Sequence, residues 1–208
     1  MLRHLVFPPR VLRCHVMTEL SFPEPPLTDG VVRLRAWTEA DLPAKLAAFT
    51  DPLIDRFSNP RAAKVTDADV HASLKRNEQD RLHGESIDFA VCTEREPAAI
   101  AGGASVFDVD LGQGRASVGY WLTPAARGRG LATRATRLLA EWAFTDLGAA
   151  RVELTCAPDN EASQRVALRC GFVREGVLRS HVPFKGGRRD TMIFSLLPSD
   201  LGLLVGDD

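Results

Sequence analysis

The sequence lacks the features that would assign it to several large protein classes. No run approaches the ~20 consecutive apolar residues that a membrane-crossing helix needs. No sign of charge dominates: 26 Lys and Arg stand against 27 Asp and Glu, a formal net charge of −1. Nothing in the bulk electrostatics therefore demands nucleic acid or an anionic membrane as partner. Cysteine is scarce. Cys14, Cys92, Cys156 and Cys170 are far apart and form no C-x-x-C pair, which argues for reduced thiols in a cytoplasmic setting rather than a disulfide scaffold. No His, Cys or carboxylate spacing suggests a metal site. Repeats and low-complexity tracts are absent, and Tyr120 is the single tyrosine.

What remains is an ordinary globular composition, 45% apolar and 25% charged over 208 residues, enough for one domain with a substantial core. The opening MLRHLVFPPRVLRCHVM carries basic residues, but Pro8, Pro9, Arg10 and Arg13 interrupt any secretory core. Residues 1–26 read as a tail outside the core, 27–200 as the domain and 201–208 as a second tail. Met17 is a candidate start, because the domain pattern begins only after it.

Alternation and β-branching predict strands at 31–37, 87–93, 100–106, 116–122, 151–156, 172–182 and 191–197. The last two flank the turn Lys185-Gly186-Gly187. Helices are expected at about 39–49, 67–83, 128–147 and 160–170. In the third, Leu131, Ala135, Leu138, Leu139 and Trp142 share one face at a 3.6-residue period, and Gly148 suits its C-terminal cap. The order is that of a mixed α/β (α+β) sheet with helices on both faces, not a regular βαβ alternation.

The chemistry concentrates where a strand runs through Thr123-Pro124 into Arg127-Gly128-Arg129-Gly130-Leu131-Ala132-Thr133, at the start of the best helix. Glycines let backbone turn sharply and approach a ligand closely. The first N–H groups of a helix have no internal partners and lie at the positive end of its dipole. Together they suit an anion, and a pyrophosphate fits; a tight turn with no ligand is the plain alternative. Two familiar phosphate motifs fail: Gly130 is followed by Leu131-Ala132 rather than Lys-Ser/Thr, and Thr133 stands where a dinucleotide fingerprint needs its third glycine.

The pattern Arg/Gln-x-x-Gly-x-Gly/Ala, met by Arg127, Gly130 and Ala132, closely resembles the coenzyme A loop of the GNAT superfamily of N-acetyltransferases. Further on, Asp159-Asn160-Glu161-Ala162-Ser163-Gln164-Arg165 through Cys170-Gly171-Phe172 resembles the second half of its Rim-type branch, which holds the ribosomal-protein alanine and serine N-terminal acetyltransferases. The resemblance spans roughly Val31 to Leu197 and is most specific from Val118 to Phe172. It implies a central, mostly antiparallel sheet that splays in the middle, and acetyl-CoA as co-substrate.

By that resemblance Arg127, Gly128, Arg129, Gly130, Leu131, Ala132 and Thr133 surround the pyrophosphate, and Trp121 and Leu122 offer backbone to the pantetheine arm. Asn160 reaches the pantetheine, and Ser163 lies near the sulfur as donor to the departing thiolate. Asn160 serves equally as an N-cap and Ser163 as a first-turn residue bonding its own helix. The carboxylate that relatives hold before Val118-Gly119-Tyr120 is Ser117 here. His181 is the first candidate base, since imidazole is the side chain suited to proton transfer near neutral pH, an exposed edge-strand histidine being the plain alternative, with Glu153 and Glu175 acting through water as further candidates.

The expected activity is transfer of an acetyl group to a primary amine by direct attack in a ternary complex. A protein N-terminus or a small-molecule amine is the acceptor. An α-amino group is easier to neutralise than a lysine by about 3 kcal/mol. A non-catalytic coenzyme A-binding module and a succinyl-CoA-dependent transferase are the competing readings. A homodimer through the last strands follows from the resemblance alone.

Overall fold

Period-two alternation along the chain becomes an eight-stranded sheet in a computed structural model that describes residues 19–58 and 63–203. Strands β1 (Leu27–Thr28) and β2 (Val32–Ala36) lead through a 3-10 turn to helices α1 (Leu42–Phe49), α2 (Pro52–Ser58) and α3 (Asp67–Leu82). Strands β3 (Ile87–Thr93), β4 (Gly102–Asp110) and β5 (Arg115–Leu122) follow, then helix α4 (Leu131–Thr145), strand β6 (Arg151–Cys156) and helix α5 (Glu161–Arg169). The hairpin β7 (Val173–Phe184) and β8 (Gly187–Leu196) ends the sheet, whose spatial order is β1-β2-β3-β4-β5-β6-β8-β7. Every neighbouring pair is antiparallel except β5–β6, which is parallel.

Alternation decides which side each residue serves. Ile87, Phe89 and Val91 of β3, with Val106, Val118, Val152, Leu154 and Phe194 from other strands, build the core with the apolar face of α4. Leu139 and Ala135 of α4 are fully buried, and Trp142 meets Phe89 edge-on with ring centroids 5.8 Å apart. Truncating Leu139 to Ala would remove about 2–5 kcal/mol. The intervening residues of β3 face the other way, toward α1 and α3.

Several expectations shift by physical causes. The helix expected from 128 begins at Leu131, because Gly130 holds a left-handed φ of 76° and acts as its N-cap. The last hairpin is longer than expected: Lys185 and Gly186 both take positive φ, the turn geometry that matches strand twist, so β7 and β8 pair up to Phe184 and Gly187. Helix α2 was not anticipated, since it is seven residues long and buries only Ile54. Part of the segment expected as a tail packs on the core. Leu20 is 3% exposed, its N–H donates to the Arg81 carbonyl at 3.0 Å, and Phe22 sits edge-on to Phe89. The other end behaves similarly, with Leu201 and Leu203 packed against the core. Residues 1–18, including Cys14 and the proposed start at Met17, lie outside the described residues, as do 204–208.

A largely buried ion pair ties β2 to the 3-10 turn that leads into α1. Arg35 donates to both carboxylate oxygens of Asp41 at 2.7 and 2.9 Å, and the N–H and hydroxyl of Thr38 donate to the same group at 2.8 Å. Four donors and the guanidinium charge hold the Asp41 carboxyl down to about 2.

Candidate active site

The sheet opens between β5 and β6. Their parallel ladder joins Arg115 to Arg151, Ala116 to Val152 and Ser117 to Glu153, and then stops. Beyond it β5 runs five more residues, paired only with β4, while β6 runs to Cys156 paired with β8. From Val118 onward the facing backbone edges of the two strands are unpaired with each other, at the place where the sequence predicts a splay.

A cavity of about 220 Å³ lies along this opening. Trp121, Leu122, Arg127, Gly128, Ala132, Asn160 and Ser163, all expected in the site, line it together with Leu53, Ile54 and Phe57 of α2. Gly130 and Thr133 instead border a neighbouring hollow with Arg134, Arg137 and Arg169. Leu131 is a core side chain at 2% exposed, and Arg129 is exposed and lines neither space. At the start of α4 the N–H groups of Leu131, Ala132 and Thr133 have no acceptor within the helix, and Gly130 has no side chain to cap them. Backbone donors and the helix dipole thus point outward at one end of the opening. Arg127 is already engaged: its guanidinium pairs with Asp51, whose carboxyl is held below its usual value as a result.

At the other end Asn160 takes its plain role, with Oδ1 accepting from the Ser163 N–H at 3.2 Å as the N-cap of α5. The Ser163 hydroxyl faces β5, where Tyr120 donates to Oγ at 3.3 Å. Burial pushes the Tyr120 phenol up to about 12, so it keeps its proton and remains a donor throughout the neutral range. Ser163 also touches Cys156, whose thiol is pushed up by burial and stays protonated. Tyr120 is the site residue that sequence reasoning missed. Strand alternation carried the signal: Trp121 points to one face, so its neighbour must point to the other, toward α5.

His181 is not brought into this group. It sits on the exposed part of the hairpin, within an irregularity of the β7–β8 ladder, with Nδ1 2.7 Å from Thr191 Oγ1, and it lines neither cavity. The two alternative carboxylates are occupied structurally. Arg151 bonds Glu153 at 2.7 Å and bridges to Glu175, which also accepts from Ser195 at 2.7 Å. Among the described residues no group of three or more His, Cys, Asp or Glu side chains is arranged to hold a metal ion, and no helix is long and apolar enough to cross a membrane.

A larger cavity of about 560 Å³ lies between α1, α3 and strands β3 to β5. The two spaces share Tyr120, Trp121 and Ser58 as common wall. The Trp121 indole lies flat across Gly103, where a Cβ would come 2.6 Å from its Nε1, so glycine at 103 is what lets the ring lie there. Trp37 stacks on the same indole at 6.0 Å and Phe49 meets it at 5.5 Å. Lys45 and Asp88 also border this cavity.

Comparison with known proteins bears directly on this arrangement. Residues 32–173 match the model of the acetyltransferase (GNAT) domain family. "Probable N-acetyltransferase YjcK" of Bacillus subtilis is 30% identical over 165 residues, which cover 78% of this chain and 91% of that one. The fold is shared with Mycobacterium smegmatis RimJ, solved in complex with a CoA-disulfide (TM-score 0.73, 22% identity, covering 83% and 84% of the two chains). It is also shared with the microcin C7 self-immunity acetyltransferase MccE, solved with acetyl-CoA and AMP (TM-score 0.71, 24% identity, covering 82% and 98%).

Proposed function

The chain belongs to the GNAT acetyltransferase family, and from that premise we propose that it transfers an acetyl group from acetyl-CoA to a primary amine in a ternary complex. One observation carries the reading: the unpaired stretch of β5 separates two cavities that meet at Tyr120 and Trp121. One cavity is lined by the glycine loop and α5, as a donor site requires. The other is large enough, at about 560 Å³, for a drug-sized acceptor.

The residues present fit coenzyme A. The first-turn N–H groups of α4 suit the pyrophosphate, with the backbone of Arg127 to Thr133 around it. The open edge at Trp121 and Leu122 suits the amide-bearing pantetheine arm, which can pair as an added strand. Arg127 reaches a phosphate only by loosening its pair with Asp51, so its backbone contributes more than its charge. In the transfer step the neutral amine nitrogen attacks the thioester carbonyl, a C–N bond forms and the C–S bond breaks; the nitrogen sheds one proton and the departing thiolate takes one up. Ser163, itself hydrogen-bonded by Tyr120, is the donor for that thiolate. Tyr120 keeps the Ser163 hydroxyl oriented and, with its raised pKa, does not ionise in the process.

The test is acceptor-dependent thiol release from acetyl-CoA, with succinyl-CoA alongside, across peptides beginning with Ser, Ala or Thr, free amino acids, polyamines and aminoglycosides. Release with an acetylated product by mass spectrometry upholds the reading. Ser163→Ala is expected to lower kcat by about 10–100-fold with acetyl-CoA binding retained. Tight coenzyme A binding with no turnover in any pairing would replace the transferase by a binding module.

A further inference from the structure

The walls of the larger cavity hold two charges of opposite sign, Lys45 and Asp88, that form no ion pair with each other or with any other charged side chain among the described residues. Lys45, from α1, is 8% exposed. Its Nζ donates to Ser73 Oγ at 3.1 Å and stands 4.8 Å from the centre of the Trp37 ring. An ammonium has three donors, and one protein acceptor is in reach, with no carboxylate bound to it among the described residues. Asp88, from β3, is half-buried, and no N–H or O–H of the described residues donates to its carboxylate. Burial lowers the Lys45 ammonium and raises the Asp88 carboxyl, while each group partly offsets the penalty on the other across the cavity.

Desolvated charges without partners are unfavourable unless something satisfies them. A buried pair serving stability would close on itself, as Arg35 and Asp41 do. This pair does not close: both groups border one cavity, which Trp37, Phe49 and Trp121 also line. The ligand that satisfies both charges presents the reverse pattern, a cation toward Asp88 and an anion toward Lys45.

We infer that the acceptor is a small zwitterion, an amine that also carries a carboxylate or phosphonate, with its ammonium received by Asp88 and its anionic group by Lys45. The inference rests on the transferase reading and names the substrate class of that site. Arg76, at the rim, adds a second positive charge near the anionic end, and Asp69 brings the lining back to electrical neutrality. A neutral lining gives a polyamine or aminoglycoside no net attraction, and a peptide N-terminus has no anion near its ammonium to engage Lys45. Asp88 also answers the chemical need: the ammonium must lose a proton before attack, and a carboxylate of raised basicity beside it takes that proton and releases it to water.

The experiment compares the protein amino acids, their carboxamides and 1-aminoalkylphosphonates as acceptors, using the full chain with acetyl-CoA. The expected result is that kcat/KM for acids or phosphonates exceeds that of the matched amides by roughly tenfold or more, and that Lys45→Met abolishes this preference. Calorimetry on the protein loaded with coenzyme A separates the two readings. If zwitterions bind about tenfold tighter than amides and Lys45→Met removes the difference without any turnover, the binding site stands and the transferase falls. If the amides or N-terminal peptides equal or exceed the acids in turnover, or if no acid or phosphonate binds more tightly than its amide, the inference is overturned. Asp88→Asn supplies a second variant: cofactor binding retained with all zwitterion binding weakened is expected, and unchanged binding and turnover would sink the role of Asp88.

Discussion

Two charge pairs near the start of the domain are built in opposite ways. Arg35 and Asp41 close on each other with two hydrogen bonds and draw in Thr38, so the acid is held down to about 2. Lys45 and Asp88 share a cavity, make no ion pair and shift against ionisation. The first stabilises the junction between β2 and α1. The second opposes folding, and a protein retains such an arrangement where the charges meet something other than itself.

The sharpest way to break this contrast is Asp88→Asn. We expect kcat/KM to fall by about 100-fold or more, with an unchanged or higher Tm; a parallel loss of activity and stability would make Asp88 a structural residue. Next in size, Asp41→Asn should remove about 2 kcal/mol of stability, the equivalent of the drop from 3.8 to about 2. That lowers Tm by about 4–8 °C and leaves kcat/KM per folded molecule intact.

The pH dependence sharpens the same comparison, because the two acids carry opposite signs. Asp41 contributes stability that is present above pH 4 and lost as pH falls toward 2. Asp88, raised in the folded state, is most favourable when protonated, and that contribution disappears as pH rises through its folded pKa. Thermal melts from pH 3 to 8 should therefore show Asp88→Asn gaining on the parent as pH rises, and Asp41→Asn losing ground. Lys45→Met should raise Tm at neutral pH by about 2 °C. Smallest of all, His181→Ala should change kcat/KM less than about twofold, since an exposed side chain away from both cavities contributes little; a loss beyond tenfold would return His181 to the chemistry.

What was legible in the sequence follows the range of the interactions involved. Helix α4 and strands β3 and β6 declare themselves through local periodicity, and the glycine loop through a contiguous run whose positive φ at Gly128 and Gly130 needs no distant partner. The position of Ser163 followed from the family pattern. The larger cavity draws on the two early helices, where an acceptor cleft was expected, but its charges were not legible because α1 and β3 supply them from separate parts of the chain. Tyr120 was half visible: its strand was expected, but the hydroxyl contact depends on how α5 docks. Helix α2 escaped because one buried residue in seven leaves almost no pattern.

That inconspicuous helix lines the smaller cavity through Leu53, Ile54 and Phe57, and its last residue, Ser58, touches both spaces. Besides the burial of Ile54, three ion pairs fasten it: Asp51 just before its start pairs with Arg127, Asp55 with Lys185, and Arg56 with Asp159. The two more exposed pairs, Asp55–Lys185 and Arg56–Asp159, contribute up to about 1 kcal/mol each and weaken as salt rises. One wall of the smaller cavity therefore responds to ionic strength while the sheet beside it is fixed by packing. A turnover number that climbs with moderate salt, as products escape past a loosened wall, would be the kinetic trace of that asymmetry.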